Sequence, residues 1–108
     1  MLFRSVATGE VVRASRTAEL DGISVREGVW LGLVDDVLVT ADDDFTTVAE
    51  LVVGRVLEGG RELLTLLTGE EEPDLERLLD RLGAAHPQVE IETHVGGQPH
   101  YPLLILAE

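Results

Sequence analysis

The chain's only imidazoles are His86, His94 and His100. His94 and His100 flank a glycine-rich corner. With a carboxylate such as Glu92 they could seed a zinc site, because imidazole nitrogen and carboxylate oxygen are ordinary zinc ligands. Their spacing matches no familiar ligand motif, so two solvated histidines is the plainer reading. His86 ends a helical pattern, where the helix dipole favours it. Asp42-Asp43-Asp44 offers hard oxygens to a divalent cation. No glycine-bearing calcium loop or suitably spaced Glu follows, and an acidic run before an apolar-periodic segment reads as a helix cap. Gly69-Glu70-Glu71-Glu72-Pro73 occupies a strand-to-helix corner, where nucleotide-binding folds cradle phosphate. Three carboxylates there repel phosphate and instead compensate the helix dipole. The chain has no Lys, hence no Walker lysine, and no G-x-G-x-x-G. Ser5, Ser15 and Ser24 lie outside any G-x-S-x-G turn. The expectation is no catalytic residue, no cofactor and no metal in this chain.

The densest local oddity is the segment from His94 to Pro102, H-V-G-G-Q-P-H-Y-P, which holds the single Tyr of the chain. Gly96-Gly97 permits unusual backbone angles or a close backbone approach, and the two prolines stiffen the rest. A tight turn between strands accounts for it. A rigid loop bearing Gln, His and Tyr also makes a contact surface.

The elements that position these residues follow from periodicity. Residues 1–41 read as β, with a short strand around Val11-Val12 and a two-residue Asp21-Gly22 turn before Ile23-Ser24-Val25. An apolar run over residues 29–34 and a second over 37–39 form a hairpin turning at Asp35-Asp36. Gly32 inside the first run predicts a bulge or a close backbone approach. Phe45, Val48, Ala49, Val52, Val56 and Leu57 predict a helix over 44–58, ended by Gly59-Gly60. Residues 62–68 form an apolar strand covered on both faces. A second helix spans 73–86, with Pro73 in its first turn, Leu75, Leu78, Leu79 and Leu82 on one side, and His86 in its last turn before Pro87. Val89, Ile91, Thr93 and Val95 alternate with polar residues as a half-exposed strand, and residues 103–107 are a buried strand. The order β-β-β-α-β-α-β-β makes an α/β (α+β) two-layer sandwich. Its two helices lie on one face of a mixed sheet, and the strands of the 62–95 unit run parallel.

Composition sets the outer bounds. The 108 residues suit one domain, with a hydrophobic fraction of 44%. Met1–Ser5 precede the pattern and are expected to be non-native or disordered. Acidic residues number 21 against 8 basic ones, all arginine, for a net charge of −13. That argues against nucleic acid or an anionic membrane as partner. The absence of Cys excludes disulfides, thiol catalysis and cysteine-ligated metals. No apolar run approaches the roughly 20 residues of a membrane span, so a cytoplasmic protein is expected.

Several segments together resemble the C-terminal domain of the bacterial fatty acid kinase A family, also described as dihydroxyacetone kinase-like or DAK phosphatase domain proteins. The run V-W-L-G-L-V-D-D-V-L-V over residues 29–39 is similar to the family's G-L-V-D-G-x-I-V. Gly9-Glu10-Val11 and the stretch from Asp21 to Gly28 resemble T-G-E-V and I-D-G-V-x-I-x-x-G. Residues 64–70 resemble V-T-L-L-Y-G-E, with Thr68 in place of Tyr. Residues 87–90 and 93–105 resemble P-D-V-E-V-E-V-H-x-G-G-Q-P-x-Y-P-Y-L-I, the most specific match. Asp36 replaces a turn Gly, His100 an aliphatic and Leu103 a Tyr. The resemblance spans residues 6–107.

The resemblance implies a DegV-like C-terminal subdomain from a larger, ATP-dependent kinase. In that family an N-terminal kinase domain binds ATP and magnesium and phosphorylates a fatty acid presented by a DegV-type carrier protein. The C-terminal region engages the carrier. The expectation is therefore a non-catalytic domain whose partners are that carrier and the rest of its own kinase chain. His94, Gly96, Gly97, Gln98 and Tyr101 would form part of the contact surface, the glycines shaping the backbone and Gln98 and Tyr101 making the contacts. Two rival readings are an acyl or acyl-phosphate site near Arg13, Arg16 and Arg26, and a homodimer formed through an exposed sheet edge.

Overall fold

The computed structural model describes residues 6–71 and 73–108. The readings placed on Met1–Ser5 and on Glu72 lie outside these residues. The N-terminal β region resolves into five strands: β1 (Ala7–Arg13), β2 (Ala18–Leu20), β3 (Ile23–Val25), β4 (Trp30–Val34) and β5 (Val37–Asp42). Then follow α1 (Phe45–Val56), β6 (Leu63–Thr68), α2 (Glu76–Ala85), β7 (Glu90–Val95) and β8 (Leu103–Ala107). Six strands form one mixed sheet in the order β5-β4-β1-β8-β6-β7. Only β6 and β7 pair in parallel, joined by α2 as the βαβ pattern required. β2 and β3 form a separate hairpin.

Strand alternation sorts the sheet into two faces. On one, Ala7 and Val11 of β1, Leu103, Ile105 and Ala107 of β8, and Leu64 and Leu66 of β6 share a core with both helices. α1 contributes Val48, Ala49, Val52, Val53 and Val56, and α2 contributes Leu78 and Leu82. Burying each large apolar side chain among them stabilises the fold by about 1.5–3 kcal/mol. On the other face the hairpin builds a smaller core, in which Val25 joins Leu31 and Leu38 of β4 and β5.

The two tight turns take the left-handed angles their sequences suggested: Asp21 and Gly22 at φ 50° and 80°, Asp35 and Asp36 at 48° and 68°. Asp35 also ties this end to β1, its carboxylate accepting from Thr8 N at 3.2 Å and Thr8 Oγ1 at 3.3 Å.

Gly32 shows both features predicted for it. The β4–β5 register shifts between Gly32 and Leu33, and a Cβ on Gly32 would stand 2.6 Å from Val52 Cγ2 and 2.9 Å from Val48 Cγ1. Gly9 on β1 meets Val52 Cγ1 in the same way. α1 therefore rests directly on backbone at these two glycines.

The structure corrects several expectations. The second helix begins at Glu76, not at Pro73, because Asp74 Oδ1 accepts from Glu76 N at 3.0 Å and holds a turn before it. His86 is consequently the C-cap, at φ −131° and ψ 64°, rather than part of the last turn. β6 is buried on its helix side alone and half-buried on the other. β7 is more exposed than half, since it is an edge strand: Val95 is 74% exposed and only Ile91 is half-buried.

The acidic run before α1 is a cap. Asp44 Oδ2 accepts from Thr47 N at 3.0 Å and from Thr47 Oγ1 at 2.7 Å. Asp42 Oδ2 accepts from Asp44 N at 2.8 Å, and Asp43 pairs with Arg26 at 3.0 Å.

Gly32→Ala should destabilise the fold by about 1–3 kcal/mol, the usual cost of overpacking. Gly54→Ala, inside α1 with open space at its Cβ, should stabilise it by about 1 kcal/mol. Urea melts of both variants check the contrast. The hydrogen bonds from Thr47 hold the Asp44 carboxyl below its ordinary 3.8. Its stabilisation is therefore complete above that value and lost as pH falls through the lowered one. Asp44→Ala should lower the melting temperature at neutral pH, with a difference that shrinks in strong acid.

Candidate functional site

The segment after β7 folds back onto the end of β6. Gly96 N and Gly97 N both donate to Thr68 O, at 2.8 and 3.0 Å. Gly69 N donates to Pro102 O, and Glu70 N to Gln98 O, each at 2.9 Å. Both glycines flagged in the sequence are required. Gly97 sits at φ 69°, and a Cβ on Gly96 would run into Gln98 Oε1. Gly69 faces the same constraint from the opposite side, where a Cβ would stand 2.9 Å from Gln98 O.

Gln98 is the clasp. Its Nε2 donates to Leu67 O at 3.2 Å and to Tyr101 O at 2.9 Å. Both amide hydrogens are thus used inside the loop, which leaves Gln98 to shape the surface rather than present donors from it. Tyr101 is 42% exposed, and His94, Gly96, Gly97 and His100 are exposed too. His100 holds φ 69°, a strained angle for a residue with a Cβ, fixed between two prolines.

Beside the loop lies an open cavity of about 560 Å³, lined by Gln98, His100, Tyr101, Arg13, Glu70 and Glu71 among others. Arg13 lies far from the loop in sequence, so no local pattern connects the two. The single Trp was its only signal. The Arg13 guanidinium lies 4.1 Å from the Trp30 ring centroid, a cation–π contact. Trp30 in turn meets Phe45 edge-on at 5.0 Å. Arg13 also donates to Gly28 O at 3.1 Å and lies 3.9 Å from Glu71, an exposed pair that contributes little.

These contacts decide what the corner and its neighbours can do. Glu71 meets Arg13, and Glu70 N is bound by Gln98 O, so this corner does not serve the dipole of α2, which starts further on at Glu76. The cavity beside Arg13 carries two glutamates, and Arg26 is held by Asp43. That is not the apolar cavity with a free cation that an acyl-phosphate site requires. His94 Nε2 lies 3.3 Å from Glu92, whereas His100 lines the cavity near Arg13. Among the described residues no group of three or more His, Cys, Asp or Glu is placed to hold a metal ion.

Gln98→Ala should cost about 1 kcal/mol in stability. It should also speed hydrogen exchange at the Gly96, Gly97 and Glu70 amides while leaving those of β1 and β4 unchanged. Exchange measured by NMR on both proteins checks the clasp.

The chain's likenesses agree with this layout. The family model for the C-terminal region of fatty acid kinase A-like proteins matches residues 2–108. An uncharacterized protein of Staphylococcus haemolyticus is 36% identical over 107 residues, covering 96% of this chain and 19% of that protein. Two uncharacterized Staphylococcus aureus proteins are 31% identical over the same length and the same shares. The chain thus spans about a fifth of the length of the curated relatives it matches. With the family's pattern running through the loop, the hairpin turns and the sheet, the chain belongs to the fatty acid kinase A-like, C-terminal family.

Proposed function

We propose that the chain is a non-catalytic, partner-binding domain of a cytoplasmic fatty acid kinase A-like, dihydroxyacetone kinase-related protein of lipid metabolism. In this reading it engages a DegV-type fatty-acid carrier so that a kinase domain outside these 108 residues, holding ATP and magnesium, can phosphorylate the carried fatty acid. The observation that carries the reading is the clasped loop. Gln98 and the two glycines freeze a backbone that sets exposed Tyr101 and His100 at the mouth of a cavity. A rigid aromatic beside a concavity loses little conformational freedom on binding, which is what an interface anchor needs. The family membership supplies the kinase context. Among the described residues no helix is long and apolar enough to cross a membrane.

Calorimetric titration of the chain with DegV-type carriers from the same organism tests this. Saturable binding is expected, weakened by Tyr101→Ala by about 2 kcal/mol, roughly thirtyfold. The net charge of −13 predicts a basic facing patch and an association rate that falls with added salt. Absence of binding to every carrier overturns the proposal, and full binding by Tyr101→Ala overturns the loop's part in it.

A further inference from the structure

The second face of the sheet has a region that neither core reaches. Register places Leu67 of β6 beside Leu104 of β8, and Thr65 beside Leu106, while Leu63 stands next to the edge strand. Leu63, Leu67, Leu104 and Leu106 are all half-buried. They belong to neither apolar cluster. Neighbours within the sheet shield their flanks, but no layer lies over them, because the β2–β3 hairpin covers β4 and β5 instead.

The margins of this stripe are acidic. Glu10 of β1 stands beside Leu104 on one side. Glu90 and Glu92 of β7 stand beside Leu63 and Thr65 on the other. No arginine occupies the same rows of β1, β8, β6 or β7. Among the described residues neither Glu10 nor Glu90 has an ion-pair partner. Burial and the nearby Asp36 charge push the Glu10 carboxyl up, so an arriving cation would relieve it.

We infer that this leucine stripe is a docking surface for a separate protein whose contact patch is aliphatic and bordered by Arg or Lys. Covering the leucines supplies the attraction, and the carboxylate margins choose the sign of the partner. A second copy of the chain fits badly, because it would oppose Glu10, Glu90 and Glu92 with like charges. The surface is separate from the Tyr101 loop, and the inference does not rest on the carrier reading: carrier binding can fail while the stripe still docks a basic partner.

The probe is a synthetic amphipathic helix of leucine and lysine, titrated into the chain and followed by amide chemical shifts. A counterpart with glutamate in place of lysine is the control. Binding of the lysine helix alone is expected, with shifts concentrated on β6 and β8. Leu67→Glu combined with Leu104→Glu should weaken it roughly tenfold or more, whereas Leu51→Glu, on an exposed position of α1, should not. Should the leucine variant fail to fold, Glu90→Gln with Glu92→Gln decides, and it should reduce both affinity and salt dependence. Equal binding of both helices, shifts centred on α1, α2 or the loop, unchanged affinity in the variants, or a stable dimer of the free chain in light scattering each overturns the inference.

Discussion

Val52 occupies the space that a side chain on Gly9 or Gly32 would need. This single close approach fixes how α1 lies across the central strands, and the rest of the molecule is arranged around it. Because α1 sits directly on β1 and β4, its valines reach Val11, Leu103 and Ile105 without a gap. α2 then fills what remains of the same side, over β6 and the start of β7. Dense packing of this kind tolerates little volume change. The bulge at Gly32 belongs to the same arrangement, since it turns Thr40 toward the helix side, where its Cγ2 also abuts the glycine.

Placing both helices on one side leaves the opposite side to be covered by other means. The β2–β3 hairpin covers the β4–β5 half with a small core of its own. The β6–β8 half keeps a leucine stripe between acidic margins. Charge follows the same division. The carboxylates of Asp42, Asp43 and Asp44 are engaged with backbone amides or arginine at the entry to α1. Among the described residues, those of Glu10 and Glu90 stand without an ion-pair partner. The first group is structural, and the second is available to an incoming cation.

Much of this was legible in the residue order, for identifiable reasons. The periodic valines of α1, the Asp-Gly and Asp-Asp turns and the parallel βαβ unit depend on local chemistry, so neighbouring residues alone revealed them. The start of α2 was misplaced because Asp74 holds a turn that competes with the helix-starting habit of Pro73. The exposure of β7 was underestimated because its alternation is that of any half-buried strand, and only the sheet order makes it an edge. In the loop, the need for Gly96 and Gly97 was readable. Gln98 looked like a contact residue because a sequence does not show that Leu67 O and Tyr101 O lie within reach of its amide.

By itself the sequence determined the fold class, the turn positions, the family and the exclusion of phosphate from an acidic corner. These follow from periodicity, from backbone freedom at particular residues and from the sign of charge, all of which act over a few positions. Only the tertiary structure decided that Arg13 stacks on Trp30, that Glu71 turns toward that arginine, and that four leucines remain outside both cores. Those facts depend on which strands become neighbours. That is set by packing between residues as distant as Val12 and Leu31 or Thr8 and Leu106, where hydrophobic burial, being non-directional, leaves no local signature in the chain.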